Sequence, residues 1–456
     1  MNLKTYQRAG IERGRDQGQC YFYKMGLGKT AIALHLIPAE PSLNVVAAPN
    51  SAQDTWLDEV KRWRPDVLVY TTMMLPAKKR LMRRDTALHA ARTHPVILLI
   101  NYTQALETWR ILKGLNERLW AVIADESSYI KNGRAERSKA MHGLRSIAER
   151  GYCLSGTPLL QGPLDLYSQI RFAEPVALKE SFWAFRGRYA TMGGFEKKQV
   201  VGYRNIESHL MPRIRPYAQS LCAEDVGVEL PDKINVKRYI ELSDKEKKNY
   251  KQIKKDAILE LSAGEIIPIS NALAKLQKLQ QAAGGFFYLE DHKAVEIGRS
   301  KRNAVVDLIT RGDLYGQPTI VWAVYRHELE RITAELKDKV QVASHILDGS
   351  PQQAMARFVD GKADVLIGNP ASLGYGANLQ RATAAVFLSN SFKYGDREQA
   401  EARCYRIGQE NKVTIVDVIA KGTVDEKVLK VLSKKAEWAE IIEEEFKVRT
   451  KGGDVE

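Results

Sequence analysis

Residues Tyr23 to Leu34 read YKMGLGKTAIAL, a glycine-containing turn followed by lysine, threonine and a short helix pattern. Gly26 and Gly28 allow a tight turn that aims backbone N–H groups at phosphate oxygens. Lys29 can reach the outer phosphates, and Thr30 can ligate magnesium. The helix that follows points its positive end at the anion. Tyr23 stands where the full phosphate-loop pattern has a further glycine. A second constellation is Asp125-Glu126, closing the apolar run WAVIA. Hydrolysis of a nucleotide needs a carboxylate to hold magnesium and another group to orient or deprotonate the attacking water. Asp125 suits the metal and Glu126 the water. A third is EQAEARCYRIGQ, Glu398 to Gln409. Arg403 and Arg406 are three apart and share a face if this segment is helical. A guanidinium there can stabilise charge on a transferring phosphoryl group. Taken singly, the acids also read as solvated turn residues and the arginines as a basic surface helix.

These groups need strands and helices to hold them. LNVVAAP, PVILLINY, WAVIADE and GYCLSGTP each look like a strand buried on both faces, with helical segments between, such as Thr55–Arg64 and Arg137–Arg150. That alternation predicts a parallel sheet covered on both sides, with ligands at the carboxyl ends of its strands. From 173 to 290 the chain is rich in Lys, Glu and Gln and has few strand signals; Asp244–Leu261 and Asn271–Ala283 read as helices. GVELPDK, Gly227–Lys233, carries the turn residues of a domain junction. Alternation resumes at PTIVWAVY, KVQVASHIL, ADVLIGNP, AAVFLSN and VTIVDVIA, and a charged helix runs from Thr423 to about Val448.

The composition fits. With 456 residues, 44% hydrophobic and 27% charged, the chain can bury real cores and is not a disordered polymer. A formal charge of +14 suits a polyanionic partner. Cys20, Cys153, Cys222 and Cys404 lie too far apart in sequence for a zinc knuckle or a CxxC pair, and read as reduced thiols. The longest apolar stretch, Pro95 to Ile100, is far below the ~20 residues that span a bilayer. No membrane association is expected, and MNLKTYQRAG has no apolar signal segment. A cytoplasmic location is expected, or a nuclear one in a eukaryotic host.

Together these segments resemble the ordered motifs of superfamily-two helicase-like ATPases of the Swi/Snf type, with compact phage and prophage versions nearest. YQRAG resembles the adenine-reading Q-motif, with Gln7 as its glutamine. MGLGKT resembles motif I, so the ATP-binding set becomes Met25, Gly26, Leu27, Gly28, Lys29 and Thr30. APNSAQDTWLDEV resembles motif Ia, with Pro49 and Trp56 in place, and INYTQ motif Ib. DESSYIKN resembles the DExHxxKN motif, with Lys131 and Asn132. LSGTPLLQ resembles motif III, with Ser155, Gly156 and Thr157. SLGYGANLQRA resembles motif V, with Gly374, Gly376, Asn378 and Leu379. QAEARCYRIGQ resembles motif VI, with Gln399, Arg403, Arg406 and Gln409. The order holds from about residue 3 to 430. Departures are Lys24 before the methionine, Ser128 in place of histidine, Gln161 after motif III, and Asn369-Pro370 where motif V opens with Ser-Thr.

The resemblance implies an α/β fold of two RecA-like parallel-sheet lobes with helical insertions and a C-terminal helix. Its divisions would be an ATP-binding lobe over 1–230, a helical insertion and linker over 231–300, a second lobe over 301–422 and the terminal helix over 423–456. ATP and magnesium are the implied cofactors, with Thr30 and Asp125 on the metal. Lys29, Asp125, Glu126, Arg403 and Arg406 are the implied catalytic residues. Gly376, Arg403 and Arg406 complete the ATP set, and Ser155, Thr157 and Gln399 couple hydrolysis to movement. DNA contacts fall to Asn50, Ser51, Tyr102, Thr103, Arg326 and Asn378. The expected activity is a DNA-dependent ATPase moving on duplex or branched DNA as a monomer, with a DNA-bound protein as a further partner. A strand-separating helicase on DNA or RNA, and a slow ATP-gated clamp, are the alternatives.

Overall fold

The structure is a computed structural model that describes residues 2–193, 199–262, 269–289, 293–373 and 378–446. Gly374 and Gly376 lie outside the described residues. The chain divides into two units, Met1–Glu229 with the residues from Lys435 onward, and Leu230–Lys434. The division falls inside GVELPDK, where Gly227 has a φ of 69°.

The first unit is built on strands β1 (Gln19–Tyr23), β2 (Ser42–Ala47), β3 (Leu68–Thr71), β4 (Pro95–Ile100), β5 (Leu119–Asp125) and β6 (Ala148–Leu154). A hairpin of β7 (Ala190–Gly193) and β8 (Gln199–Tyr203) follows, and β9 (Ala218–Leu221) closes the sheet. The sheet order is β3-β4-β2-β5-β6-β1-β9, and every pairing in it is parallel. β1, β4 and β9 are buried at every position. That is why β4 is written as an unbroken apolar run, PVILLI, rather than as an alternating one. With all seven strands parallel, each carboxyl end opens on the same edge. The phosphate loop leaves β1, motif Ia leaves β2, motif Ib leaves β4, Asp125 closes β5 and motif III leaves β6.

The second unit repeats the architecture with β10 (Lys233–Ile240), then a small hairpin of β11 (Phe286–Tyr288) and β12 (Ala294–Glu296). It continues with β13 (Thr319–Trp322), β14 (Val342–Ser344), β15 (Val365–Gly368), β16 (Ala384–Phe387) and β17 (Val413–Ala420). Its parallel sheet runs β10-β17-β16-β13-β15-β14. Alternate residues feed two cores: Val321, Val365 and Val386 on one face, Ile320, Trp322 and Phe387 on the other. The two-lobed α/β class read from the sequence is the architecture found.

Several strands were not visible in the sequence. β9 and β10 lie in the stretch read as helical. β10 pairs with β17 over eight residues, yet its own side chains are mostly exposed, as suits an edge strand carrying Lys233, Lys237 and Arg238. Its mixed polar pattern gives no core signal, so only the pairing reveals it.

Candidate active site and nucleic-acid-facing edge

The phosphate loop begins where β1 ends. Gly28 has a φ of 72° and caps the helix Lys29–His35, and Gly26 has a φ of 88°. A Cβ on Gly28 would lie 2.1 Å from the Gln7 side-chain nitrogen, so glycine is needed both for the left-handed backbone and for the approach of Gln7. Gln7 sits on the helix Thr5–Asp16, buried, its Oε1 accepting from the Lys4 N–H at 2.9 Å. The expected adenine reader is thereby placed against the loop. Leu27 is fully buried, while Met25 and Thr30 are half-buried. Lys29 donates to the carbonyl oxygens of Tyr23 at 2.7 Å and Lys24 at 3.3 Å.

Asp125 ends β5 on the same edge. Its Oδ2 accepts from the Trp56 indole N–H at 2.8 Å and its Oδ1 from the Glu126 N–H at 3.1 Å. Burial raises its pKa, opposed by the Trp56 hydrogen bond and by the charge of Lys29. Glu126 adopts a left-handed backbone, φ 54° and ψ 57°. A side chain with a Cβ is rare there, and the local strain is on the order of 1–3 kcal/mol. Thr157 and Ser155 follow β6: the Thr157 N–H donates to Ser155 Oγ at 3.1 Å, and both are buried. A Cβ on Gly156 would sit 3.6 Å from Met25 Cγ, which puts motif III beside the phosphate loop.

The residues after Asp125-Glu126 and those after motif III are tied by groups the sequence reading missed. Ser127 Oγ donates to Gln169 Oε1 at 2.7 Å, and Gln169 Nε2 donates to the carbonyls of Pro158 and Asp165 at 2.8 and 2.9 Å. Asp165 accepts the N–H groups of Leu160 and Gln161, and Lys131 stands 3.8 Å from it. The departure at Gln161 leaves this loop anchored, because only its backbone is used.

Magnesium fits the donor set. A threonine hydroxyl and one carboxylate are hard oxygen ligands. No cluster of three or more His, Cys, Asp or Glu side chains suited to a metal occurs among the described residues. An ion here would share its coordination with phosphate oxygens and water, the usual manner for this metal. Trp56 fixes the carboxylate from behind. Trp56→Phe removes that donor and keeps the ring, and should lower ATP turnover about tenfold and raise the magnesium needed for half-maximal rate. A magnesium titration of steady-state turnover checks it.

Of the residues expected at DNA, Asn50 and Ser51 are exposed beyond β2 and Thr103 is exposed beyond β4. Asn101, which the sequence reading passed over, joins them: its amide donates to Asn50 Oδ1 at 3.0 Å and its Oδ1 accepts from Thr103 Oγ1 at 2.7 Å. Tyr102 is a correction. It is buried, its hydroxyl donates to the Asp125 carbonyl at 2.6 Å, and its ring stacks on Tyr129 at 5.1 Å. It supports the end of β5 rather than facing solvent.

In the second unit the helical-face argument for the two arginines also needs correction. The helix Tyr394–Cys404 ends in extended backbone at Tyr405. Arg403 is therefore in its last turn and Arg406 beyond it. Gln409 holds that turn by donating to the carbonyls of Gln380, Ala382 and Cys404 at 2.9, 3.1 and 2.9 Å. Arg403 and Gln399 are buried, and burial lowers the pKa of Arg406. Arg397 orients the helix, pairing with Asp417 and, at 2.5 Å, with Glu401, which also meets Lys233 at 3.0 Å. Arg326 begins the helix Arg326–Leu336 instead of ending a strand, and pairs with Glu330 at 2.8 Å. Asn378 is exposed and donates to Gln380 Oε1 at 2.6 Å. Asn369 donates to the Val324 carbonyl at 2.7 Å, so the motif V departure bridges the ends of β15 and β13.

A family model described as the SNF2-related domain matches residues 12–284. The chain belongs to that family. Protein p41 of Acyrthosiphon pisum secondary endosymbiont phage 1 is 28% identical over 451 residues, covering 93% of this chain and 94% of that one. The uncharacterized ATP-dependent helicase MG018 of Mycoplasma genitalium is 25% identical, over 96% of this chain and 42% of its own length. The SWI/SNF-related matrix-associated actin-dependent regulator of chromatin subfamily A-like protein 1 of Xenopus tropicalis is 25% identical, over 95% and 44%. The chain thus spans nearly all of the phage relative and under half of the two larger ones. It is an ATP-hydrolysing, helicase-like enzyme of the SNF2 type. No helix among the described residues is long and apolar enough to cross a membrane.

Proposed function

We propose that this SNF2-family enzyme is a DNA-dependent ATPase that moves along duplex or branched DNA, remodelling protein–DNA complexes or shifting branch points. The observation that carries the reading is the shared edge of the first sheet. A phosphate loop, a metal-suited aspartate and a strained glutamate stand there beside a polar strip in which half-buried Asn101 joins exposed Asn50 and Thr103. Asparagine and hydroxyl side chains position a nucleic-acid backbone without reading its sequence, which is what a motor needs. The surplus of Lys and Arg, +14 overall, supplies the attraction.

In this reading Lys29 and the loop N–H groups bind the phosphates, and Gln7 lies where adenine is read. Thr30 and Asp125 hold magnesium, which neutralises phosphate charge when bound. Glu126 accepts the proton of the attacking water. Gln169 links the segments that follow Asp125-Glu126 and motif III, so a shift at one is felt at the other. Ser155, Thr157 and Gln399 are assigned to coupling. The sequence holds a single GxGKT, and Arg403 and Arg406 are assigned to catalysis. Arg406→Ala should cut turnover by at least ~100-fold, as loss of a transition-state arginine does. Loss of DNA affinity with normal turnover would reassign Arg406.

Steady-state ATPase rates at low salt, with no nucleic acid, duplex DNA, single-stranded DNA, forked DNA and duplex RNA, test the whole proposal. Stimulation by duplex or forked DNA is expected. Stimulation by single strands alone would point to an unwinding helicase, and none at all to a slow clamp.

A further inference from the structure

The helix Phe182–Tyr189 turns Phe185 and Tyr189 into the core, but leaves Trp183 59% exposed. Trp183 is not bare. The Arg134 guanidinium lies 4.0 Å from its ring centroid and the Arg186 guanidinium 5.5 Å. Arg134 comes from the turn after Asp125-Glu126, far from this helix in sequence, so the pairing is a tertiary one. An exposed cation–π contact is worth only about 0.5–1 kcal/mol, which is little reason in itself to hold a tryptophan in water.

Beside it runs a groove of about 680 Å³, from Gly133, next to Arg134, to Ala148 at the start of β6. Tyr167 lines it, and the Tyr167 ring meets Phe182 at 5.5 Å, which joins groove and platform. Lys139, Arg145 and Arg171 line it with no carboxylate among the lining residues. Arg145 is fixed by the carbonyls of Phe172 and Ala148 at 3.0 and 2.7 Å, and Arg171 by the Tyr167 hydroxyl at 2.7 Å. Of the acids near the lining, Glu136 is paired with Lys139 at 2.8 Å, and Glu174 acts on Arg145. His142, hydrogen-bonded to Ser168, is pushed down to about 4 by burial, so the arginines and lysine carry the groove's charge at neutral pH.

We propose that Trp183, with Arg134 and Arg186, is a stacking platform for an unpaired base of branched DNA, and that the adjoining groove takes the phosphates of the same strand. An aromatic face set among guanidiniums beside a cationic track is the chemistry that binds single strands without sequence preference. This rests on the DNA-motor reading and narrows its substrate to DNA with a single-stranded arm.

The test compares binding of blunt duplex and forked DNA, by fluorescence anisotropy without nucleotide. Trp183→Ala should weaken the fork about tenfold and leave blunt duplex, basal ATPase and the melting temperature unchanged. Trp183→Phe should keep most of the fork affinity. Replacing Lys139 and Arg171 by Gln should flatten the salt dependence of fork binding. Wild-type affinity for both DNAs in Trp183→Ala would overturn the platform and hand the surface to another partner, such as an acidic protein segment. Equal losses on both DNAs would overturn the preference for unpaired bases. If the wild-type protein binds neither DNA and its ATPase responds to none, the motor reading falls, and this inference with it.

Discussion

Glu126→Gln is expected to lower ATP turnover by about 10²–10⁴-fold while leaving ATP affinity within a small factor of wild type. Glutamine keeps the length, the shape and the backbone demand of the side chain. It removes the negative charge and the ability to accept a proton, and replaces one acceptor oxygen with an N–H donor group. The backbone argument makes the substitution clean: φ of 54° at Glu126 is already imposed by its surroundings, since the Tyr129 N–H bonds the Glu126 carbonyl at 2.9 Å and its own N–H is held by Asp125 Oδ1. Gln meets the same strain as Glu, so a change in fold is not expected to confuse the result. Single-turnover hydrolysis alongside equilibrium nucleotide binding separates the step. Near-normal hydrolysis would remove Glu126 from the proton path, and a loss of binding equal to the loss of rate would make it a binding residue.

The contrast between Glu126 and its neighbours shows what the sequence could carry. The order of apolar runs was enough for two parallel sheets, because a strand buried on both faces must be apolar along its length. The same order put the phosphate loop and Asp125 at strand ends. It could not show the left-handed backbone of Glu126, which tertiary packing enforces. Trp56 looked like a marker of motif Ia, yet its indole reaches Asp125 across 69 residues of sequence. Gln169 and Asn101 carry no pattern of their own, and their meaning comes only from the partners the fold brings near. Tyr102 failed for the opposite reason. Its position in INYTQ suggested a surface contact, whereas a tyrosine with one apolar ring and one hydroxyl is equally suited to burial under a strand end. Arg403 and Arg406 show the limit of periodicity: three residues apart means one face only while the helix lasts, and this helix stops between them.

Lys29→Ala should reduce turnover by about 10²–10³-fold, the scale of losing a preorganised donor to a transferring phosphoryl group. It should also weaken ATP binding, which distinguishes it from Glu126→Gln. Lys29 has a second role that makes the outcome informative. Its ammonium donates to the Tyr23 and Lys24 carbonyls, so it ties the start of the phosphate loop to the helix Lys29–His35. Phosphate oxygens would take over those bonds when ATP arrives, and the loop would then be held by the ligand. The alanine variant lacks both arrangements. Charge-assisted hydrogen bonds of this kind contribute about 1.5–3 kcal/mol, so a modest fall in the denaturation midpoint of the first unit is expected without loss of its sheet. ATP should raise that midpoint in wild-type protein and hardly at all in the variant. A full stabilising response to ATP in Lys29→Ala, or near-wild-type turnover, would mean that nucleotide binds elsewhere and that the loop after β1 is only a turn.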